Sequence, residues 1–411
     1  MLKNYLMIAL KVYSRRKLFT AINLLCIVLT LVVLLVVTSL LQMTFVPTGV
    51  EGKSERFLQI PIMAQIGKTQ SIQSALGYRL IDHYLRTMKS VELVSGVSIP
   101  EAVTIYQVQG VLQLKWRHTD AEYWKILDFN VLAGRILNAE DVKQGRFVAV
   151  LNQTTAKRLF LDANPIGKTI NAGGQQFDVI GVVEDALHFN AYSDIWVPHT
   201  TYANSSYKEQ LRGSFTALLL AKSSEDFPRI RDEMLQIAQQ VNADSPNQYE
   251  HTYLWADSKL DFFARQLMQR KEVADSGANE VLVSIAIAML LFMVLPALNL
   301  INLNVSRIME RTSEIGVRKA FGATKVQLVI QFLIENVLLC LVGGLIGIVL
   351  AQFILFGLGA SGFIPYLKAE FNLAILMYGF GISTVFGVLS GVIPAWKMSK
   401  LDPVHALKGA N

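Results

Sequence analysis

From Leu18 to Val46 the chain runs 29 residues without one charged side chain. About 20 apolar residues suffice to cross roughly 30 Å of hydrocarbon. Three further segments meet that requirement: 281–306, 327–358 (interrupted only by Glu335) and 371–396. All four are far longer than the roughly 10-residue alternating strands of a membrane β-barrel. Four transmembrane helices are therefore expected. Lys11, Arg15, Arg16 and Lys17 precede the first run, as in a secretory signal. The run nevertheless exceeds the apolar core of such a signal, about 7–15 residues, and no small-x-small cleavage site follows it. It reads as an uncleaved anchor that tilts or continues outward as a stalk.

The rest of the composition divides sharply. Only 17% of the chain is charged, against roughly 25% in ordinary soluble domains. Residues 47–280 nevertheless hold 24 Lys+Arg and 27 Asp+Glu. An ordinary polar domain is thus inserted between the first and second spans. A soluble enzyme and a disordered chain are both excluded, the latter because disorder requires low hydrophobicity. Cys26 and Cys340 both lie in apolar runs, so no disulfide framework exists.

Orientation follows from Lys and Arg beside the spans. Residues 1–17 carry five positive charges and no negative one. The 307–325 segment carries Arg307, Arg311, Arg318, Lys319 and Lys325 against Glu310 and Glu314, and the tail carries Lys397, Lys400 and Lys408 against Asp402. These segments read as cytoplasmic, and the 47–280 domain as external. The net charge of +6 is thereby assigned to membrane topology; no nucleic-acid partner is expected.

Within 47–280 the pattern is α+β. Residues 79–94 place Leu80, Tyr84, Met88 and Val91 on one helical face, and residues 225–242 do so with Ile230, Met234, Ile237 and Val241, Ser224 capping and Pro228 in the first turn. Strands are expected over 97–99, 103–114, 147–151, 177–183 and 217–220, with Gly173-Gly174 as a hairpin turn. The expected form has two lobes, one inserted in the other at about 115–205. A helix over about 258–280, with Leu260, Phe263, Ala264 and Leu267 on one face, is expected to run into the second span as a continuous stalk.

Chemistry-bearing motifs are scarce. Gly67-Lys68-Thr69 and Gly167-Lys168-Thr169 end like phosphate-binding loops, but the required earlier glycine is Ile62 or Asp162. The six histidines show no metal-ligand spacing, and no nucleophile motif occurs. Neither a catalytic residue nor a metal or cofactor of its own is expected. Glu335 reads as a headgroup-level carboxylate pairing with Lys325 or Arg318. Gly343, Gly344, Gly347, Gly387 and Gly391 place small residues four apart, which lets helices approach closely, either within one chain or between subunits. The 307–325 segment sets Ile315, Gly316, Val317 and Phe321 among charges, which points either to docking on a protein or to an interfacial amphipathic helix.

The run Glu314-Ile315-Gly316-Val317-Arg318-Lys319-Ala320-Phe321-Gly322-Ala323, followed by Gln331 to Glu335, Gly343-Gly344-x-x-Gly347 and the tail 394–408, resembles the permease domain shared by MacB-like and FtsX-like ABC transporters of the mechanotransmission class. The tail departs from it at Trp396 and His405. Leu132-Ala133-Gly134-Arg135, Asp141, Val148 to Leu151, Ala156, Leu159-Phe160, Pro165 to Lys168 and Phe177 to Val183 resemble the MacB-type periplasmic core domain. The resemblance implies a multi-pass inner-membrane permease with its large domain in the periplasm. It implies a homo- or heterodimer whose partner is a cytoplasmic ABC ATPase that holds ATP and Mg. A periplasmic adaptor and outer-membrane channel are further implied partners. On this resemblance Arg311, Glu314, Ile315, Gly316, Val317, Arg318, Lys319, Phe321 and Gly322 couple to the ATPase. The implied activity is export or extraction of an antibiotic, peptide or lipoprotein. A lipoprotein-releasing permease and an FtsX-like scaffold or sensor are the alternatives.

Overall fold

The computed structural model describes residues 13–14, 17–68, 71–107, 110–186, 188–244, 249–273, 275–310, 317, 321–361 and 373–399. The chain divides into two compact units, residues 43–281 and the remainder.

Among the described residues of the first unit, fourteen strands form one mixed sheet. Seven belong to a first lobe: β1 (Phe57–Ile60), β2 (Met63–Ile66), β3 (Ser71–Leu76), β4 (Leu93–Ser98), β12 (Arg212–Gly213), β13 (Phe215–Leu220) and β14 (His251–Leu254). Seven belong to an inserted lobe: β5 (Glu101–Gln107), β6 (Gly110–Thr119), β7 (Val131–Gly134), β8 (Val148–Asn152), β9 (Thr169–Ala172), β10 (Gln175–Val183) and β11 (Ile195–Pro198). The strand order is β14-β2-β3-β13-β4-β6-β11-β8-β10-β7, with β6–β11 and β8–β10 parallel. The lobes join at β4–β6, through the pair Val97↔Thr119.

The inserted lobe starts at Glu101 and the chain returns at Arg212, so the insertion is wider than 115–205. The reason lies in residues 103–114. They are not one strand but parts of an antiparallel pair, with Gln107 opposite Gly110 and Val103 opposite Leu114. Gly173 and Gly174 do make the β9–β10 turn, at φ +59° and +79°, the left-handed pair that a two-residue hairpin needs.

One core packs Leu58, Ile60, Met63, Phe215, Leu219, Ile230 and Met234 together in the first lobe. A second packs Val103, Leu114, Leu151, Phe177, Val179 and Ile195 in the inserted lobe. A third welds the two lobes, because Leu218 and Leu220 of β13 share it with Val150, Tyr123 and Trp196. At this seam the carboxylate of Asp120 is buried. It accepts from Ser95 Oγ (2.7 Å), Gly96 N (2.7 Å), Tyr123 N (2.9 Å) and Arg86 (2.8 Å). Burial pushes its pKa up to about 6 against the pull of Arg86.

Two helices depart from expectation. Residues 79–94 are helical only from Arg79 to Thr87; Met88 turns extended and the chain enters β4. The face Leu80, Tyr84 and Met88 still points into the core. By contrast, helix Phe227–Asp244 follows the pattern: Ile230, Met234, Ile237 and Val241 are all buried. Its lead-in is capped by Ser223 with Asp226 rather than by Ser224.

The second correction concerns the stalk. A helix over Lys259–Met268 ends at Gln269, whose φ of 54° is left-handed. A new helix starts only at Ala278, after Gly277 at φ +77°. The rod expected over 258–280 is therefore broken.

The helices of interest are numbered α1 (Lys17–Phe45), α2 (Lys259–Met268), α3 (Ala278–Glu310), α4 (Lys325–Ala360) and α5 (Leu373–Ser399). Among the described residues, two helical segments are long and apolar enough to cross a membrane, Thr20–Phe45 and Val326–Ala360; shorter apolar segments cover Ala278–Val294 and Met377–Leu389.

Candidate coupling and transmission site

In the helical unit, α1, α4 and α5 meet through glycines. A Cβ on Gly343 would lie 2.6 Å from Ile27 Cγ2, and one on Gly347 would lie 3.2 Å from Leu31 Cβ. A Cβ on Gly387 would meet Val337 Cα at 3.0 Å, and one on Gly391 would meet Asn336 Nδ2 at 3.1 Å. Gly344 is buried beside them. These glycines let backbones approach where lipid supplies no hydrophobic drive to association, so close packing must. All four contacts lie within the chain. Around them Ile27, Leu31, Leu339, Cys340 and Phe386 form a core.

Glu335 is buried on α4. It accepts from Gln331 Nε2 at 3.0 Å, one turn earlier, and its backbone carbonyl accepts from the Tyr13 hydroxyl. The side chains of its expected partners, Lys325 and Arg318, lie outside the described residues.

The start of α4 is locally determined. Thr324 Oγ1 accepts from Gln327 N at 3.3 Å, and Gln327 Oε1 accepts from Thr324 N at 3.0 Å, a reciprocal cap. Gly322 precedes it at φ +92° with open space around it. Phe321 donates its N–H to Val317 O at 3.0 Å while its ring is 88% exposed. Val317 is exposed as well. Arg311, Glu314, Ile315, Gly316, Arg318 and Lys319 lie outside the described residues.

The break between α2 and α3 is held by polar groups. Asp257 and Arg265 form a buried bidentate pair, Nε–Oδ2 2.8 Å and Nη2–Oδ1 3.0 Å. The remaining guanidinium nitrogen donates to the carbonyls of Glu272 and Asp275 across the break. Trp255 lies beneath the guanidinium, 5.5 Å from its ring centroid, and donates Nε1 to Lys271 O at 3.1 Å. Asp261 accepts from Ser276 at 2.5 Å and from Arg231 at 2.9 Å. Burial raises the pKa of Asp261, but the hydrogen bonds of Ser276 and Ser258 and the charge of Arg231 outweigh it and hold the group low. Nearby, Glu51 is buried between Lys259 Nζ (2.7 Å) and Asn190 N (2.9 Å). One carboxylate thus ties together the segment after α1, the start of α2 and a loop of the inserted lobe.

None of Glu51, Asp257, Lys259 or Arg265 stands out in the sequence. The one legible signal is Ser258-x-x-Asp261, a capping pattern that marks the start of α2. Nothing in a linear pattern pairs Asp257 with Arg265 or Glu51 with Lys259. Among the described residues no group of three or more His, Cys, Asp or Glu is arranged to hold a metal.

The motif residues of the inserted lobe also acquire reasons. A Cβ on Gly134, at φ +69°, would run into Ile180 O, and one on Gly181 would run into Arg135 O. Arg135 pairs with the buried Asp141, which caps its own helix through Asn138.

A strand-rich domain and glycine-packed apolar helices thus occur in one chain. The chain belongs to the MacB/FtsX-like ABC transporter permease family. Residues 20–237 match the MacB-like periplasmic core domain, and residues 286–403 match the FtsX-like permease C-terminal region. It is 29% identical over 311 residues to the macrolide export ATP-binding/permease protein MacB of Burkholderia cenocepacia, covering 72% of this chain and 43% of that protein. It is 29% identical over 293 residues to the probable syringafactin export ATP-binding/permease protein SyfD of Pseudomonas syringae pv. tomato, covering 70% of this chain and 41% of that protein. The aligned stretch therefore spans less than half the length of these relatives. Among solved structures, the periplasmic region of MacB from Actinobacillus actinomycetemcomitans is similar at 16% identity, over 52% of this chain and 96% of that one, with a TM-score of 0.38.

Proposed function

We propose that this chain is a permease subunit that carries force across the inner membrane from an ATPase to the 47–280 domain. In this reading α1, α3, α4 and α5 are four spans, both termini and the 307–326 segment are cytoplasmic, and the 47–280 domain is periplasmic. In this reading ATP and Mg are bound by a cytoplasmic ATPase, not by these 411 residues. Two permease chains pair, and the 311–322 segment docks on the ATPase through Phe321 and its neighbours.

The observation that carries this reading is the succession of the two family domains in one chain. The positive charge on 1–17, 307–325 and the tail supports the orientation. The names of the relatives, macrolide export and syringafactin export, support export as the direction of work. An adaptor and an outer-membrane channel complete the proposed assembly.

The test is purification of the full chain from its host in mild detergent. An ATP-hydrolysing polypeptide is expected to accompany it, and reversing the charges of Arg311, Glu314 and Arg318 is expected to release that polypeptide. Purification of the chain alone, even after crosslinking in intact cells, would overturn the coupling assignment.

A further inference from the structure

Helix α2 is inside out. Its charged residues Asp261 and Arg265 face the domain, in the polar clasp described above, while Phe263 (45% exposed) and Leu267 (60% exposed) face outward with Met268. A surface helix of a soluble domain buries its apolar stripe. Here Ala264 is buried with the ion pairs, while Phe263 and Leu267 of the same stripe stay in the open.

The outward face is part of a larger aromatic patch. Phe263 meets the ring of Phe45 edge-on, with centroids 5.7 Å apart. Phe262 meets Phe189, 55% exposed, at 5.9 Å. Met268 packs toward Gly277, where a Cβ would approach its side chain to 3.2 Å. The patch therefore lies between Phe45, the last residue of α1, and Gly277, the residue before α3.

That position selects the occupant. Helix α1 has 29 residues, about 43 Å at 1.5 Å per residue, which equals the roughly 40–45 Å of a bilayer with its headgroups. With Lys17 at one headgroup layer, Phe45 stands at the other. The geometry points to a lipid-facing foot: α2, with Phe45, Phe189, Phe262, Phe263, Leu267 and Met268, rests in the outer headgroup and acyl boundary of the membrane. This rests on the reading of α1 as a span. Aromatic side chains favour that boundary, and a helix with one apolar face lies flat in it. The foot would hold the broken joint between α2 and α3 against the membrane surface as the domain moves.

The experiment is nitroxide scanning by power-saturation EPR. The full chain, with Cys26→Ser and Cys340→Ala, is labelled singly at Phe263→Cys, Leu267→Cys, Leu29→Cys or Tyr106→Cys and reconstituted in phospholipid nanodiscs. Leu29 is exposed on α1 and Tyr106 is exposed on β5, so each tolerates a label. The labels at 263 and 267 are expected to collide with oxygen in preference to a water-soluble nickel chelate. Their depth is expected to be about 5–10 Å into the boundary. The label at 29 should share the oxygen preference and that at 106 should reverse it. A water signature at 263 and 267, with a lipid signature at 29, overturns the foot and leaves the span intact. A water signature at 29 as well overturns the span reading on which the foot rests. Protection of 263 and 267 from both quenchers assigns the patch to a second copy of the chain and overturns the lipid assignment.

Discussion

Removing the Arg265 guanidinium tests whether the joint between α2 and α3 is held as described. In Arg265→Met the aliphatic bulk over Trp255 is kept while three sets of contacts vanish: both bonds to Asp257 and the donors to the carbonyls of Glu272 and Asp275. The side chains of Asp257 and Arg265 are 2% and 4% exposed. A carboxylate stranded at that depth costs about 3–5 kcal/mol, whereas an exposed ion pair contributes about 0.2–1 kcal/mol. Burial already pushes the Asp257 carboxyl up in pKa, and without Arg265 nothing of comparable strength opposes it. The loss falls locally, because the released segment is 269–277. Trypsin reads that opening directly, at the bonds after Arg270 and Lys271. A local loss of 3 kcal/mol raises the open population by roughly two orders of magnitude, and cleavage there follows in proportion. The double variant Arg265→Met with Asp257→Leu is expected to recover most of the loss, since replacing both partners of a buried pair by apolar groups is often nearly neutral. A cleavage rate in Arg265→Met within about fivefold of the parent, near 1 kcal/mol, would refute the buried-clasp reasoning. So would a double variant as susceptible as the single one.

Other consequences are equally concrete. Gly343→Leu forces bulk against Ile27 and is expected to cost about 1–3 kcal/mol of bundle stability, while Gly357→Leu, with nothing within 4 Å, should be silent by thermal melting in detergent. Gly134→Ala combines a left-handed φ with a clash on Ile180 O and should destabilise the inserted lobe by at least about 1 kcal/mol, read by denaturant titration. Burial pushes His118 and His199 each down to about 3, so below pH 6.5 the unfolded chain takes up two protons that the folded chain refuses. Asp120, raised to about 6, offsets one of them. Stability should then fall by about 1.4 kcal/mol per unit between pH 6 and 4, and Asp120→Asn should roughly double that slope.

Period and charge carried the reading a long way. The apolar runs became helices because backbone groups in a low-dielectric environment must satisfy one another within the segment. The 225–242 stripe became a helix with that same face buried, since tertiary packing and local period agree there. The double glycine became a turn because only glycine takes two successive left-handed conformations without strain. The helix expected over 79–94 stopped at Thr87 because the chain there must extend into β4, an interior strand between β13 and β6, and the sheet outweighs a local helical period.

Composition and spacing in the sequence determined that this protein has apolar helices and a strand-rich polar domain between two of them in the chain, and which family it resembles. Tertiary structure alone decided how the segment after α2 is held. Asp257 and Arg265 are ordinary surface-type residues until folding removes water from both, and Glu51 meets Lys259 only because two distant segments converge. The stripe of Leu260, Phe263, Ala264 and Leu267 reads in the sequence as one face of a continuous stalk. In the structure, the clasp turns Phe263 and Leu267 outward. A linear pattern records which side chains share a face, but the partners available in space decide which way that face turns.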